Sequence, residues 1–268
     1  MKLSSLLAIP VGGGILVFAL GALLGGSEPL WYGTQVASQV AGVAGCLAAA
    51  AALGRQDFML RAWLLTAASL AIQLGWRLAI GPSTASWGPL SVPDWVGTLV
   101  LVTLNAAAIA GSLLFVLAFV RAGLVLPGLG RRIALDAAVC AVIAAVLAVP
   151  TATRMFREAT TPTASFEAAV IIVSDVVCLF LVAPLWRISR AFSGGVLAWP
   201  WAFLAFANLG YLLNDAAQVL GGVSGPGAAA SPGRWVAEGL FAASAGAIAA
   251  AGLAHRRALT MRSPARTG

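Results

Sequence analysis

A chain of 268 residues that is 60% hydrophobic and 9% charged, with a mean hydropathy of +0.95, cannot cover itself with a water-facing surface; soluble domains carry about 25% charged residues. The deficit runs along the whole length, so residues 1–268 read as a single integral membrane domain with no separate soluble unit. The net charge of +7 is carried almost entirely by Arg. These Arg residues sit in short gaps between apolar runs, where they orient helices, and nucleic acid is excluded as a partner.

Crossing a hydrocarbon core of roughly 30 Å takes about 20 apolar residues. Eight segments qualify, at 5–25, 34–53, 62–81, 95–120, 133–150, 166–186, 196–220 and 235–254. With no water to satisfy backbone groups and no strand-like alternation, all eight are expected to be helices. The first reads as a retained helix and not as a cleaved signal, because its basic region is only Lys2 and its apolar run is long. The expected architecture is therefore an all-α polytopic membrane protein of eight transmembrane helices with both termini in the cytoplasm. Of the 16 basic residues, only Arg77, Arg154, Arg157 and Arg234 then fall outside, as the positive-inside rule requires. Residues 258–268 become a cytoplasmic tail. Trp31, Trp87, Trp95 and Trp235 fall at the outer interface, where indole rings are enriched. Arg in place of Lys, with abundant Ala and Gly, is the usage of a high-GC bacterial genome, so the expected location is a bacterial cytoplasmic (inner) membrane.

The stretch from Trp63 to Arg77 resembles that from Trp201 to Asp215, and each precedes a Gly/Pro/Ser-rich loop ending in Pro and Trp, at Pro93-Asp94-Trp95 and Pro232-Gly233-Arg234-Trp235. Four crossings return a chain to its starting side. The repeat thus predicts two parallel four-helix halves, 1–130 and 131–257.

Ionisable groups at membrane depth cost on the order of 2.5–3.5 kcal/mol on insertion scales and call for a partner or a function. At 1.5 Å per residue, Arg77, Asp215 and Glu238 fall roughly 8–10 Å outside the midplane. Arg77 and Asp215 occupy equivalent repeat positions with opposite charge and are expected to pair. Asn214, Gln218, Gln35 and Gln39 add hydrogen-bonding capacity beside them. The cluster reads either as helix-joining polar contacts or as a ligand pocket open to the outside. Asp175 lies nearer the midplane, with Asn208, Asn105 and Gln73 at similar depth. It reads either as a proton-relay site or as an uncharged carboxylic acid bonded to Asn208. Asp136, four residues after Arg132, is expected to form an interfacial ion pair.

Cys46, Cys140 and Cys178 lie in apolar segments without CxxC spacing, and His255 is the one histidine. No metal centre, haem or other cofactor is expected. With Lys2 as the one lysine, a buried retinal Schiff base is excluded, and no phosphate-binding GxxxxGK[ST] run occurs. Gly222-Val-Ser224-Gly225 matches the GxSG of rhomboid proteases, but Ser224 and His255 fall on opposite sides of the bilayer, too far apart for a dyad. No enzyme activity is expected.

Arg61-Ala-Trp63, Leu74-Gly75, Pro93-Asp94-Trp95, Leu135-Asp136-Ala137, Ser174-Asp175 and Leu213-Asn214-Asp215 together resemble the multi-pass N-terminal membrane module of actinobacterial GGDEF/EAL proteins, the diguanylate cyclases and phosphodiesterases. Trp76-Arg77 stands where that module often has an Asp after the helix-3 glycine, and its Tyr-Pro before the helix-6 Asp and its helix-5 Trp are absent. The resemblance implies the input half of a signalling system, without the catalytic domains. The functional expectation is a non-enzymatic sensory or scaffold module in the lipid bilayer. It would bind a small or lipophilic ligand, a cytoplasmic signalling protein or a second copy of itself. The alternatives are a small-molecule or proton-coupled transporter, and a membrane anchor subunit of a larger complex.

Overall fold

Helix starts follow side chains that can cap them. Ser27 accepts from the Leu30 amide at 3.4 Å, Asp57 from Met59 at 2.8 Å, Thr161 from Ala164 at 3.1 Å and Ser231 from Arg234 at 3.2 Å. Proline occupies the first turn after Ser27, Thr161 and Ser231, where its missing N–H has no intrahelical partner to lose. In a computed structural model describing residues 3–81, 93–121, 129–192, 195–221 and 228–261, these starts open four of eight helices. The helices are α1 (Leu3–Leu24), α2 (Glu28–Ala50), α3 (Phe58–Ile80), α4 (Asp94–Arg121), α5 (Leu129–Glu158), α6 (Pro162–Ala191), α7 (Ala198–Leu220) and α8 (Pro232–Thr260), with one 3₁₀ turn at Ala228–Ala230. Among the described residues there is no strand.

Six helices, α1, α3, α4, α5, α6 and α8, are long and apolar enough to cross a membrane by length and composition. The other two, α2 and α7, fall short because they carry Thr34, Gln35, Ser38 and Gln39, and Asn208, Asn214, Asp215 and Gln218. Several of these polar groups turn inward; Gln39 and Asn214 are 0% and 3% exposed. The exposed surface is apolar instead. Val139, Val142, Val146 and Val149 of α5 are exposed, as are Val11, Ile15, Leu99, Phe166 and Val173. A belt of this kind suits lipid and is rare on water-soluble monomers. The chain is a membrane-embedded helical protein.

Two expected segments lengthen at both ends. Residues 133–150 were expected as the fifth segment, but α5 continues through Pro150 to Glu158; α6 runs from 162 to 191 and not from 166 to 186. Polar ends rich in Arg and Thr extend both helices beyond their apolar windows. α8 likewise takes residues 258–260 from the expected tail. Lys2, Trp87, Arg262, Arg266 and the Gly222–Gly225 turn lie outside the described residues.

Six helices close a ring in the order α2, α3, α4, α6, α7, α8, each packed on the next and α8 on α2. α1 lies outside the ring against α8, and α5 against α6 and α7. α8 therefore touches α1, α2 and α7, and small residues permit this. A Cβ on Gly252 would collide with the Gly45 carbonyl of α2, and one on Gly210 of α7 with Ser244 of α8. Where lipid is as apolar as leucine, close backbone approach supplies the packing that holds helices together.

Gly252→Leu is expected to lower the thermal midpoint in detergent, with an overpacking cost of about 1–3 kcal/mol. Gly12→Leu, whose new side chain meets open space, is expected to leave the midpoint unchanged or slightly raised. Equal effects of the two would show that the α2–α8 seam does not control stability.

Candidate functional site

The ring's two ends differ in chemistry. At the end carrying the start of α3 and the finish of α8, Trp63 Nε1 donates to His255 Nδ1 at 2.6 Å. Phe115 packs edge-on against Trp63 with ring centres 4.8 Å apart, and Trp201 meets Phe115 at 5.8 Å and His255 at 5.9 Å. Phe119 closes on Trp201 at 4.5 Å. Trp63, Phe115, Trp201 and His255 are all at most 4% exposed. These rings come from α3, α4, α7 and α8 and form a solid plug. His255 is thus spent on a structural bond to an indole.

Above the plug lies a cavity of about 510 Å³ lined by all six ring helices, with one residue of α5, a size ordinary for small-molecule sites. A second hollow of about 380 Å³ shares Gln35, Gln73 and Arg77 with it and reaches the helix ends at Glu28, Gly81 and Gly97. The polar lining is therefore continuous from mid-helix to the end opposite His255.

The cavity collects nearly every polar residue expected to matter. Arg77, Asp215, Asn214 and Gln218 line it, as do Asp175, Asn208, Asn105 and Gln73. Glu238 does not. Its side chain is 1% exposed, with Arg234 Nε 2.8 Å from its Oε1. Arg234 does not aim that hydrogen at the oxygen, so the contact is Coulombic. Gln35 Nε2 donates to both carboxylate oxygens, at 2.6 and 2.7 Å. Glu238 is fully engaged in joining α8 to α2.

The expected Arg77–Asp215 pair does not form. Arg77 Nη1 donates to Gln39 Oε1 at 3.3 Å, and its guanidinium lies 5.2 Å from the Phe241 ring centre. Asp215 accepts from Asn214 Nδ2 at 2.9 Å, and its carboxyl lies beside that of Asp175. The reason is the ring itself: α3 and α7 are opposite members, so equivalent positions face each other across the cavity. Asp175 likewise lies beside Asp215, and the hydrogen bond expected between it and Asn208 does not form. The two acids meet because α6 overhangs α7. Asp175 is 13 residues from the start of α6 and Asp215 is five from the finish of α7, so the overhang is about 12 Å at 1.5 Å per residue.

Other expectations need amendment. Asp136 pairs with Arg187 of α6; the Arg132 side chain lies outside those described. Trp31, expected at the interface, is 0% exposed and donates to the Ala229 carbonyl at 2.9 Å, whereas Trp95 is exposed. Tyr211 escaped sequence reasoning. Its hydroxyl is buried without a hydrogen-bond partner, and the residue lines the cavity in the field of both Arg77 and Asp215. A tyrosine three residues before Asn214, and so near it on one helix face, was the available signal. Among the described residues no three of His, Cys, Asp and Glu converge as a metal site would require.

Separate partners predict separate energetics. In a double-mutant cycle read by unfolding in detergent, Arg77→Leu and Asp215→Leu are expected to add within about 0.5 kcal/mol, while Asp175→Leu and Asp215→Leu should couple by about 0.5–3 kcal/mol. The reverse pattern would restore the salt bridge. No family model matches the chain, and neither a curated protein nor a solved structure matches it.

Proposed function

We propose that the protein is a non-enzymatic membrane receptor that admits a small polar ligand from outside the cell into the cavity between its six ring helices. The observation that carries this reading is the cavity's one-ended form, polar from mid-helix to the Glu28 end and filled at the other end by the Trp63–His255–Trp201 plug. A site for binding needs one entrance; a path for transport needs two, open together or in turn.

The reading includes eight crossings with both termini inside. Arg55, Arg61, Arg121, Arg190, Arg256 and Arg257 all belong to the plug end, which supports placing that end in the cytoplasm. It also includes two parallel halves. The ring order is unchanged when α2, α3 and α4 are exchanged with α6, α7 and α8, and the repeat-matched Trp63 and Trp201 both enter the plug. A ligand touching both walls would bind the halves' relative position, giving occupancy a structural consequence. The resemblance to the membrane module of GGDEF/EAL proteins is the reason to read that consequence as a signal, passed to a cytoplasmic signalling protein or a second copy of the chain in a bacterial inner membrane.

One contact favours a second reading, a proton-coupled transporter. Neighbouring membrane-depth carboxyls such as Asp175 and Asp215 are the groups proton relays use.

Labelling separates the two. Gln73 lines both hollows, so Gln73→Cys, with Cys46, Cys140 and Cys178 replaced by Ala, is expected to react with a membrane-impermeant methanethiosulfonate from the Glu28 side only. Reaction from both sides would favour transport. No reaction from either side, with full reaction after denaturation, would sink the receptor reading.

A further inference from the structure

The charged groups of the interior divide into those with a charged partner and those without one. Buried Glu238 has Arg234, and nearer the surface Asp136 has Arg187 and Glu158 has Arg154. Arg77 has an amide oxygen at 3.3 Å and an aromatic face, but no ion pair. Across the ring, Asp175 and Asp215 have each other and Asn214, but no cation. Both carboxyls belong to the cavity lining and neither has a cationic side chain within ion-pair reach, so this wall is the acidic one. The hollow thus has a basic wall at Arg77 of α3, which feels the Glu238 carboxylate without forming an ion pair with it, and an acidic wall at Asp175 and Asp215 of α6 and α7.

The Tyr211 hydroxyl supplies the independent sign of a missing guest. It is one of five buried side-chain polar atoms with no partner within the protein, and it belongs to a residue that lines the cavity and lies in the field of both Arg77 and Asp215. Buried polar groups in native proteins are satisfied, and an exception points to an occupant.

We propose that the cavity binds a small zwitterion, with its anionic group at Arg77, its ammonium at the Asp175–Asp215 pair, and a polar atom between them on Tyr211. This rests on the receptor reading of the cavity and names the class of ligand. A zwitterion is the one small ligand class that supplies both counter-ions while adding no net charge to a membrane interior, where uncompensated charge is expensive. A simple amine would leave Arg77 without an anion, and a simple acid would leave the carboxyl pair without a cation. The guanidinium suits a planar carboxylate or a phosphate through its fork of donors. The same chemistry has two sources, a soluble amino acid or the headgroup of a zwitterionic lipid.

The test is binding to the full chain in nanodiscs of phosphatidylglycerol alone, measured by calorimetry. The probes are glycine, γ-aminobutyrate and 6-aminohexanoate, which separate the two charges progressively, against hexylamine and hexanoate as single-charge controls. A short-chain phosphatidylethanolamine is the lipid probe. At least one zwitterion is expected to bind ten-fold or more tighter than both controls. Arg77→Gln should reduce it to the affinity of the amine, and Asp175→Asn with Asp215→Asn to that of the acid. Tyr211→Phe should weaken it several-fold with the thermal midpoint held. Preference for the phosphatidylethanolamine over all three amino acids assigns the source to lipid. Hexylamine binding as tightly as any zwitterion would overturn the proposal and leave the receptor reading standing. Binding by no probe would also overturn it, and one-sided labelling at Gln73→Cys would then still separate a receptor for another ligand from a cavity that is no receptor.

Discussion

Everything in this architecture depends on how closely α8 can be approached. Its neighbours α1, α2 and α7 come near enough for backbone to meet backbone or small side chain, as at Gly252 against Gly45 and Gly210 against Ser244. Helices with bulky contacts pack at 8–10 Å between axes, and small residues bring them nearer, which is how packing gains energy in a solvent as apolar as the side chains. With α8 drawn against α2 and α7, the three anchor one arc of the ring. α3, α4 and α6 complete the circumference, with Gly111 of α4 close against Thr66 and Ala62 of α3, and the six helices enclose the hollow between them.

Polar groups then sort by whether that packing satisfies them. Where α2 meets α8, Gln35 and Arg234 surround Glu238, and the carboxylate serves as a joint between helices. Leaving such a buried group with no partner costs about 1–3 kcal/mol or more, which explains a cluster that looks functional by composition yet is fully used in construction. At the other end of the ring, the bond between Trp63 and His255 does the same for α3 and α8. Between these two fastenings, the cavity-lining groups of α3, α6 and α7 are the ones left with spare hydrogen-bonding capacity.

Much of this was legible from residues alone. Hydropathy located all eight helices, because each carries an apolar run. The polar residues singled out at membrane depth converge, because a polar group in such a helix has nowhere to point but inward. Ends were less legible. The windows of hydropathy stopped at Pro150 and near Arg187, whereas the helices continue through polar turns whose caps, Thr161-Pro162 and Ser231-Pro232, mark the starts better than apolarity does. Depth was the weakest inference. Counting residues placed Asp175 far from Asp215, since it took every helix as level with its neighbours, and α6 is not level with α7. Trp31 misled for a related reason: a tryptophan near a helix start reads as an interface anchor unless one knows that Gly21 and Trp235 enclose it.

The failed pairing of Arg77 with Asp215 is the most informative of these departures. Opposite charges at equivalent repeat positions would meet if the two helices carrying them were adjacent. A ring of six puts equivalent helices opposite each other, so the same sequence pattern yields two separated poles. An ion pair at that place would have drawn α3 onto α7 and filled the centre. Its absence leaves Arg77 on an amide oxygen and a ring, in the field of Glu238 but without an ion pair, and leaves the two carboxyls opposite with no cationic partner. Both arrangements are weaker than a direct ion pair at low dielectric. The interior therefore keeps electrostatic free energy in reserve, available to whatever brings the two missing charges in together.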